Sequence, residues 1–193
     1  MSLSAPRLGV PQDTWTTATA GFNERIEVVD GELTIRRIGG NPHHHIAQRL
    51  AHEFETQWDR YATAPGNWAL QLAPDGSVLQ GRIPDVLVNG ESLITEEVYR
   101  GTPDAAVEVW SPGNTLAEMN DKRAQYRHAG LPVLLEAYLS DGATVHLEWL
   151  TNAGTHWAST TVAAGDTPLS IAATSTHPAF SVIPNALLRR PST

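Results

Sequence analysis

Two acidic residues lie in or beside short apolar runs of the sequence, and the chain's only lysine follows them. Asp85 precedes the apolar residues 86–88, and Glu108 lies within the run 105–110. A carboxylate among strand-forming residues is costly to bury unless something pairs it. Two carboxylates and the Lys122 amine could hold a hard divalent cation and stabilise the charge that develops when a phosphodiester is cut. The pattern therefore favours metal-dependent hydrolysis.

Each of these residues also has a simpler interpretation. Asp85 could be a solvated carboxylate at the end of a strand, and Lys122 a solvated residue on a helix. Glu108 could point outward into solvent, although this is less expected in a buried strand between Val107 and Val109. Glu27 could be a cross-strand charge partner in a hairpin or a further member of the site. The run His43-His44-His45 suggests a zinc site, but consecutive helical residues point about 100° apart, so the three cannot face one metal. Only His43 is kept as a candidate.

Composition narrows the class of protein. The chain has 193 residues, a net charge of −8 and no cysteine, which excludes disulfides, thiolate metal sites and cysteine catalysis. Its start lacks the pattern of a secretion signal, and no run approaches the roughly 18 apolar residues of a membrane helix. We therefore expect a cytoplasmic protein without a membrane partner. The negative charge argues against tight, unspecific binding of nucleic acid, but bound cations can offset carboxylates locally.

Hydrophobic periodicity and turn residues predict the elements. Asp30-Gly31 between two alternating runs is a strong hairpin signal. Asn41 can cap a helix that has Pro42 at its first position, and Thr115 with Glu118 forms a capping box. The predicted strands are 25–29, 32–38, 68–72, 79–88, 103–110, 131–139, 144–150 and 156–162, and the predicted helices are 43–61 and 115–128.

This order predicts an α/β (α+β) fold, a mixed sheet flanked by helices with an N-terminal β-hairpin. Both candidate carboxylates then belong to neighbouring central strands. Residues 1–21, rich in Ser, Thr, Pro and Ala, are expected to form a flexible arm. Residues 22–188 are expected to form a single domain, followed by a tail at 189–193.

The order and spacing of these residues resemble the Uma2 family of restriction-endonuclease-like proteins, within the PD-(D/E)XK nuclease superfamily. The resemblance runs from about residue 22 to residue 188. The segments that carry it are Glu27-Val28-Val29-Asp30-Gly31-Glu32-Leu33, His43, Pro84-Asp85, Val107-Glu108-Val109-Trp110-Ser111-Pro112, Lys122, Tyr126 and Gly130.

The resemblance implies an endonuclease that hydrolyses DNA phosphodiester bonds. It implies that Asp85 and Glu108 ligate Mg²⁺ or Mn²⁺, and that Lys122 replaces the superfamily lysine, whose usual position holds Trp110 here. Glu27 and His43 match further positions that could complete the site. The resemblance implies DNA as a partner and is compatible with a homodimer, because nucleases of this superfamily often pair to cut both strands.

The chain departs from the family pattern at two places. Glu118 stands where the family often has an aspartate, and Val133-Leu134-Leu135 replaces a Glu-Tyr-Trp stretch. These departures leave two alternatives open beside the endonuclease. One is a catalytically inactive nuclease fold that serves as a binding or regulatory module. The other is a metal-dependent hydrolase of small phosphoesters.

Overall fold

The computed structural model describes residues 8–21, 25–36, 40–89 and 97–189. It contains three α-helices, twelve strands and one 3₁₀ helix within these residues. In chain order they are α1 Gln12–Gly21, β1 Arg25–Val29, β2 Glu32–Arg36, α2 Asn41–Trp58, β3 Tyr61–Thr63, β4 Trp68–Leu72, β5 Val78–Arg82, β6 Val86–Asn89, β7 Ala105–Trp110, α3 Leu116–His128, β8 Val133–Ser140, β9 Thr144–Asn152, β10 Trp157–Ala164, β11 Leu169–Ile171, β12 Phe180–Val182 and the 3₁₀ helix Pro184–Leu188.

The chain divides into two compact units, where the sequence predicted a single domain. The first unit contains Met1–Ile38, Asn67–Ile83 and Glu97–Gly101, and the second contains the remainder. The predicted limits at residues 22 and 188 stay a prediction. Several predicted segments lie partly outside the described residues. These parts are 1–7 of the predicted arm, 22–24, 37–39 and 90–96 of the predicted domain, and 190–193 of the predicted tail.

The first unit is a four-stranded antiparallel sheet with the strand order β2-β1-β5-β4. The predicted hairpin is present. Asp30 and Gly31, which connect β1 to β2, have φ angles of 52° and 81°, the left-handed conformation that a two-residue hairpin turn requires. Residues 12–21 form α1 rather than part of a flexible arm. Trp15 explains this difference, because its side chain is fully buried and its Nε1 donates a 2.5 Å hydrogen bond to the Ile26 carbonyl.

The second unit is built on a six-stranded sheet with the order β10-β9-β8-β7-β6-β3. The pair β7–β8 is parallel and the other pairs are antiparallel, so the sheet is mixed, as predicted. Helix α3 makes the crossover between the parallel strands. Strands β11 and β12 form a separate two-stranded sheet.

Helices α2 and α3 lie on opposite faces of this six-stranded sheet. On one face, Ile46 and Phe54 of α2 pack in a core with Val107 of β7. Glu108, the next residue along β7, points to the other face and contacts α3. The predicted arrangement of helices around the sheet, and with it the predicted fold class, is confirmed.

One predicted strand is wrong in a way that matters for the site. The expected strand 79–88 is two strands, β5 in the first unit and β6 in the second. Residues 83–85 separate them, because Pro84 has no N–H to donate to a sheet. Asp85 therefore stands immediately before β6.

Helix α2 also differs slightly from its prediction. It begins at Asn41 and is capped by Gly40, so Asn41 is its first residue and not its cap. It ends at Trp58 because Asp59 adopts a left-handed conformation, with φ 53°. The described part of the chain has no helix long and apolar enough to cross a membrane.

Candidate active site

Asp85 is held at the start of β6 by backbone contacts with β7. Its N–H donates to the Val107 carbonyl over 2.9 Å, and its Oδ2 accepts a 2.6 Å hydrogen bond from the Val109 N–H. His43, in the first turn of α2, places its Nε2 3.1 Å from the same Oδ2. Only 2% of Asp85 is exposed, which excludes a solvated strand-end carboxylate.

Glu108 is the partner of two side chains from α3. The Lys122 Nζ lies 2.9 Å from Oε2, and the Tyr126 hydroxyl donates to Oε1 over 2.5 Å. Lys122 and Tyr126 are four residues apart, so both point from the same side of the helix. Thr115 starts this helix by accepting a hydrogen bond from the Glu118 N–H, as the capping box predicted. The solvated alternative for Lys122 is excluded because the residue is buried.

The two carboxylates stand on neighbouring strands. Val86 is the register partner of Val107, so Asp85 lies across from Glu108 at the end of the β6–β7 ladder. Burial raises the pKa of Glu108 above its ordinary value, and the nearby negative charge of Asp85 raises this pKa further. The Lys122 ammonium and the Tyr126 hydrogen bond oppose these effects. A cation near both carboxylates would favour the charged form of Glu108 in the same way.

Two substitutions are expected to shift the pKa of Glu108 in opposite directions. Lys122→Met removes the charge that most favours the ionised carboxylate, so the pKa of Glu108 should rise beyond its already raised value. Asp85→Asn removes a repulsive charge, so this pKa should fall. Difference infrared spectroscopy of the metal-free protein, with Glu108→Gln spectra subtracted, would follow this carboxyl group alone. Midpoints that moved in the reverse directions would contradict the assignment of these causes.

Glu108 belongs to a row of acidic side chains that crosses three strands. It is the register partner of Glu136 on β8, which in turn pairs with Glu148 on β9. We call these three residues the acidic row. Arg123 of α3 binds the row through a 2.5 Å hydrogen bond from its Nε to Glu136 Oε1, and its Nη2 lies 3.8 Å from Glu148. The hydrogen bond to Glu136 raises the pKa of Arg123.

Arg123 and Glu136 were not predicted from the sequence as members of the site. Each had a signal in retrospect, since Arg123 follows Lys122 directly and Glu136 lies within a run of apolar strand residues. Neither signal says that the two side chains meet. Their ion pair joins α3 to the sheet one residue away from Lys122, so it helps to set the position from which Lys122 reaches Glu108.

The predicted site residues thus divide into two groups. Asp85, Glu108, Lys122 and His43 lie in the second unit, where direct contacts join His43 to Asp85 and Lys122 to Glu108. Glu27 lies in the first unit. There its Oε2 is 2.6 Å from Arg82 Nη1 and 3.1 Å from Arg36 Nε. These contacts explain how Glu27 is accommodated in the interior, and its catalytic role stays a prediction.

No curated protein matches the chain. A crystal structure described as "a putative nuclease belonging to DUF820", from Anabaena variabilis, has a TM-score of 0.57 and 13% sequence identity, over 84% of this chain and 90% of that one. At this identity the similarity concerns the fold alone. The model of the Uma2 family, described as "Putative restriction endonuclease", matches residues 17–183. Because this match covers most of its length, the chain belongs to the Uma2 family.

Proposed function

We propose that this chain is a divalent-metal-dependent endonuclease that hydrolyses phosphodiester bonds in DNA. The observation that carries the proposal is the buried pair of carboxylates, Asp85 and Glu108, on adjacent strands with the Lys122 ammonium 2.9 Å from Glu108. The description of the family as "Putative restriction endonuclease" supports it, as does the description of the Anabaena protein with a similar fold as "a putative nuclease".

The donor set fits Mg²⁺ or Mn²⁺. Both ions prefer carboxylate oxygens, and Mg²⁺ is commonly held by one or two carboxylates together with water and substrate phosphate. Among the described residues no three His, Asp or Glu side chains gather into a group that could hold a metal ion, so the two carboxylates would need water and substrate oxygens to complete the coordination. Asp85 and Glu108 would hold the ion. When bound, it would supply Lewis-acid stabilisation of the charge that develops on the phosphate.

The other side chains would orient the two carboxylates and stabilise charge. The Lys122 ammonium is positioned to stabilise negative charge close to Glu108. The Tyr126 hydroxyl holds the second oxygen of Glu108, so this carboxylate cannot rotate freely. His43 fixes Asp85 in the same way from the first turn of α2. Groups held in advance in this manner need little rearrangement during the reaction.

The test is nicking of supercoiled plasmid by the purified protein in Mg²⁺, in Mn²⁺ and in EDTA, beside two matched variants. Asp85→Asn removes one proposed ligand and keeps the size of the side chain. Asp104→Asn makes the same change at an aspartate that is half-buried rather than fully buried and whose partner is Arg60. We expect cleavage only with metal, its loss in Asp85→Asn and its retention in Asp104→Asn. Equal cleavage by all three proteins would indicate a contaminating nuclease and contradict the proposal.

The net charge of −8 favours one alternative substrate. Long polyanions are repelled by an acidic protein more strongly than short ones. The same proteins should therefore be tested on nucleotides and short oligonucleotides. Hydrolysis of these compounds without plasmid nicking would assign the site to small phosphoesters. No hydrolysis and no carboxylate-dependent Mn²⁺ binding by calorimetry would assign the chain to a binding module. A homodimer stays a prediction.

A further inference from the structure

A second row of side chains crosses the same three strands beside the acidic row. Trp110 on β7 is the register partner of Tyr138 on β8, and Tyr138 is the partner of His146 on β9. We call these three residues the aromatic row. Each stands two positions from a member of the acidic row on its strand, so both rows lie on the same face of the sheet.

The aromatic row meets a cleft of about 540 Å³ at the end of the sheet. Trp110 and Tyr138 line it on one side, Pro42 and His43 contribute from the first turn of α2, and Pro112 from the segment after β7. The volume is typical of pockets that bind small organic groups. His43 connects the cleft to the candidate active site, since its Nε2 is 3.1 Å from Asp85 Oδ2.

The rings of the aromatic row are held in place. Tyr138 and His146 stack with ring centroids 4.5 Å apart and an angle of 7° between their planes. His146 is fixed in turn by a 2.8 Å hydrogen bond between its Nε2 and the Ser140 hydroxyl. The Trp110 indole donates a 3.0 Å hydrogen bond to Glu136. Although it is supported in this way, Tyr138 remains 40% exposed, which leaves aromatic surface available to a ligand.

We propose that this cleft binds a nucleobase from a single-stranded stretch of DNA, stacked on Tyr138 beside the phosphate that Asp85 and Glu108 engage. The inference rests on the proposed endonuclease function and specifies its substrate. Stacking on aromatic side chains is the usual way in which proteins bind unpaired bases without reading their sequence. It suits a chain with a net charge of −8, because stacking does not depend on attraction between a basic surface and the phosphate backbone.

A base that is paired and stacked within a continuous duplex cannot enter such a cleft. Extrusion from the duplex requires unpairing and unstacking, and these costs are absent where the strand is already single. The geometry therefore predicts a preference for single-stranded or frayed DNA over intact duplex. His43 places the cleft next to the candidate active site, since it forms part of the cleft wall and also contacts Asp85.

Binding can be measured without cleavage, by fluorescence anisotropy in EDTA. The ligands are a labelled oligothymidylate of about ten nucleotides, an abasic strand of equal length and charge, and a duplex of the same length. We expect the wild type to prefer the oligothymidylate over the other two. Tyr138→Ala should lower affinity for the oligothymidylate by about 5- to 100-fold and leave affinity for the abasic strand unchanged. Tyr138→Phe, which retains the ring, should bind like the wild type.

Tyr61→Ala is the matched control. Tyr61 is 47% exposed on β3, the strand at one edge of the same sheet, and does not line the cleft. Circular dichroism of all variants establishes that they are folded. Equal affinity of the wild type for the oligothymidylate and the abasic strand would overturn the inference, as would equal effects of Tyr138→Ala and Tyr61→Ala or no measurable binding of single strands.

Two further measurements distinguish a nucleotide site from a strand-binding site, and failure of the cleft proposal from failure of the endonuclease proposal. Free thymidine monophosphate carries the same base, so it serves as a competitor. If it displaces the oligonucleotide at an equal concentration of bases, the occupant is a nucleotide and the proposed strand is excluded. Plasmid nicking by Asp85→Asn is scored independently. If this variant still nicked plasmid, the endonuclease assignment would be overturned. If the wild type in EDTA did not distinguish the oligothymidylate from the abasic strand, only the cleft assignment would be overturned.

Discussion

Replacing Glu108 with glutamine is expected to lower metal-dependent DNA cleavage by about 1000-fold or more. The change removes one of two carboxylates that would hold the divalent ion and keeps the size of the side chain. A Lewis-acid metal contributes several kcal/mol to the stabilisation of a phosphoryl transition state, and about 1.4 kcal/mol corresponds to a factor of ten in rate. Single-turnover cleavage of plasmid at saturating protein measures the effect on the chemical step.

The control for this variant addresses the buried charge that it creates. Lys122 is buried beside Glu108, and without the carboxylate its ammonium loses the ion pair at 2.9 Å. Breaking such a pair costs about 3–5 kcal/mol, whereas replacing both partners is often close to neutral. Glu108→Gln should therefore be less stable than the double variant Glu108→Gln/Lys122→Met. Both variants should be inactive. If the double variant regained cleavage together with stability, a catalytic role for Glu108 and Lys122 would be contradicted.

Replacing Arg82 with methionine is expected to lower the free energy of unfolding by about 3 kcal/mol at neutral pH. Arg82 and Glu27 are both buried, with 2.6 Å between Nη1 and Oε2. Removal of one member of a buried pair costs about 3–5 kcal/mol because the other charge stays in the interior. The lower end of this range applies because Glu27 keeps Arg36. Urea unfolding followed by far-ultraviolet circular dichroism would measure the loss.

Two further variants test the physical reason. Arg36→Met should cost less than about 1 kcal/mol, since the Arg36 side chain is 30% exposed and solvent screens its charge. Glu27→Gln combined with Arg82→Met should recover most of the stability that Arg82→Met loses. If Arg36→Met and Arg82→Met were equally destabilising, burial would not explain the contribution of the Glu27–Arg82 ion pair to stability. Cleavage by the stable double variant would also test Glu27, because activity without its carboxylate excludes a catalytic role.

Local signals predicted local structure well. The Asp30-Gly31 turn could be identified because few residues tolerate positive φ angles, and these two have them. The start of α3 at Thr115 could be identified for a similar reason, since a hydroxyl can satisfy a backbone N–H that the helix leaves open. In both cases the interaction that forms the element lies within a few residues of sequence.

Errors arose where distant contacts decided the outcome. Residues 12–21 have weak helical periodicity, and only the burial of Trp15 against the carbonyl of Ile26 indicates that they are ordered. In the expected strand 79–88, Pro84 was a signal for the break, but the residues on either side of it could not reveal that β5 and β6 belong to different sheets. Pairing partners decide such a question, and a single sequence does not record them.

The candidate site shows the same division. Asp85 and Glu108 were recognisable because a carboxylate in an apolar strand requires a compensating partner, and Lys122 because the chain has no other lysine. The acidic and aromatic rows were not recognisable. Their members come from three strands, and strand register alone aligns them.

By itself, the sequence determined the types of the elements and the residues whose burial demands a counter-charge. These properties follow from backbone conformation and from the cost of moving charge out of water, both of which act on single residues and near neighbours. Only the tertiary structure decided that Lys122 reaches Glu108, that Arg123 reaches Glu136 and that Tyr138 lines a cleft beside His43. The crossover through α3 and the parallel register of β7 and β8 bring these residues together, and this proximity is a property of the folded chain as a whole.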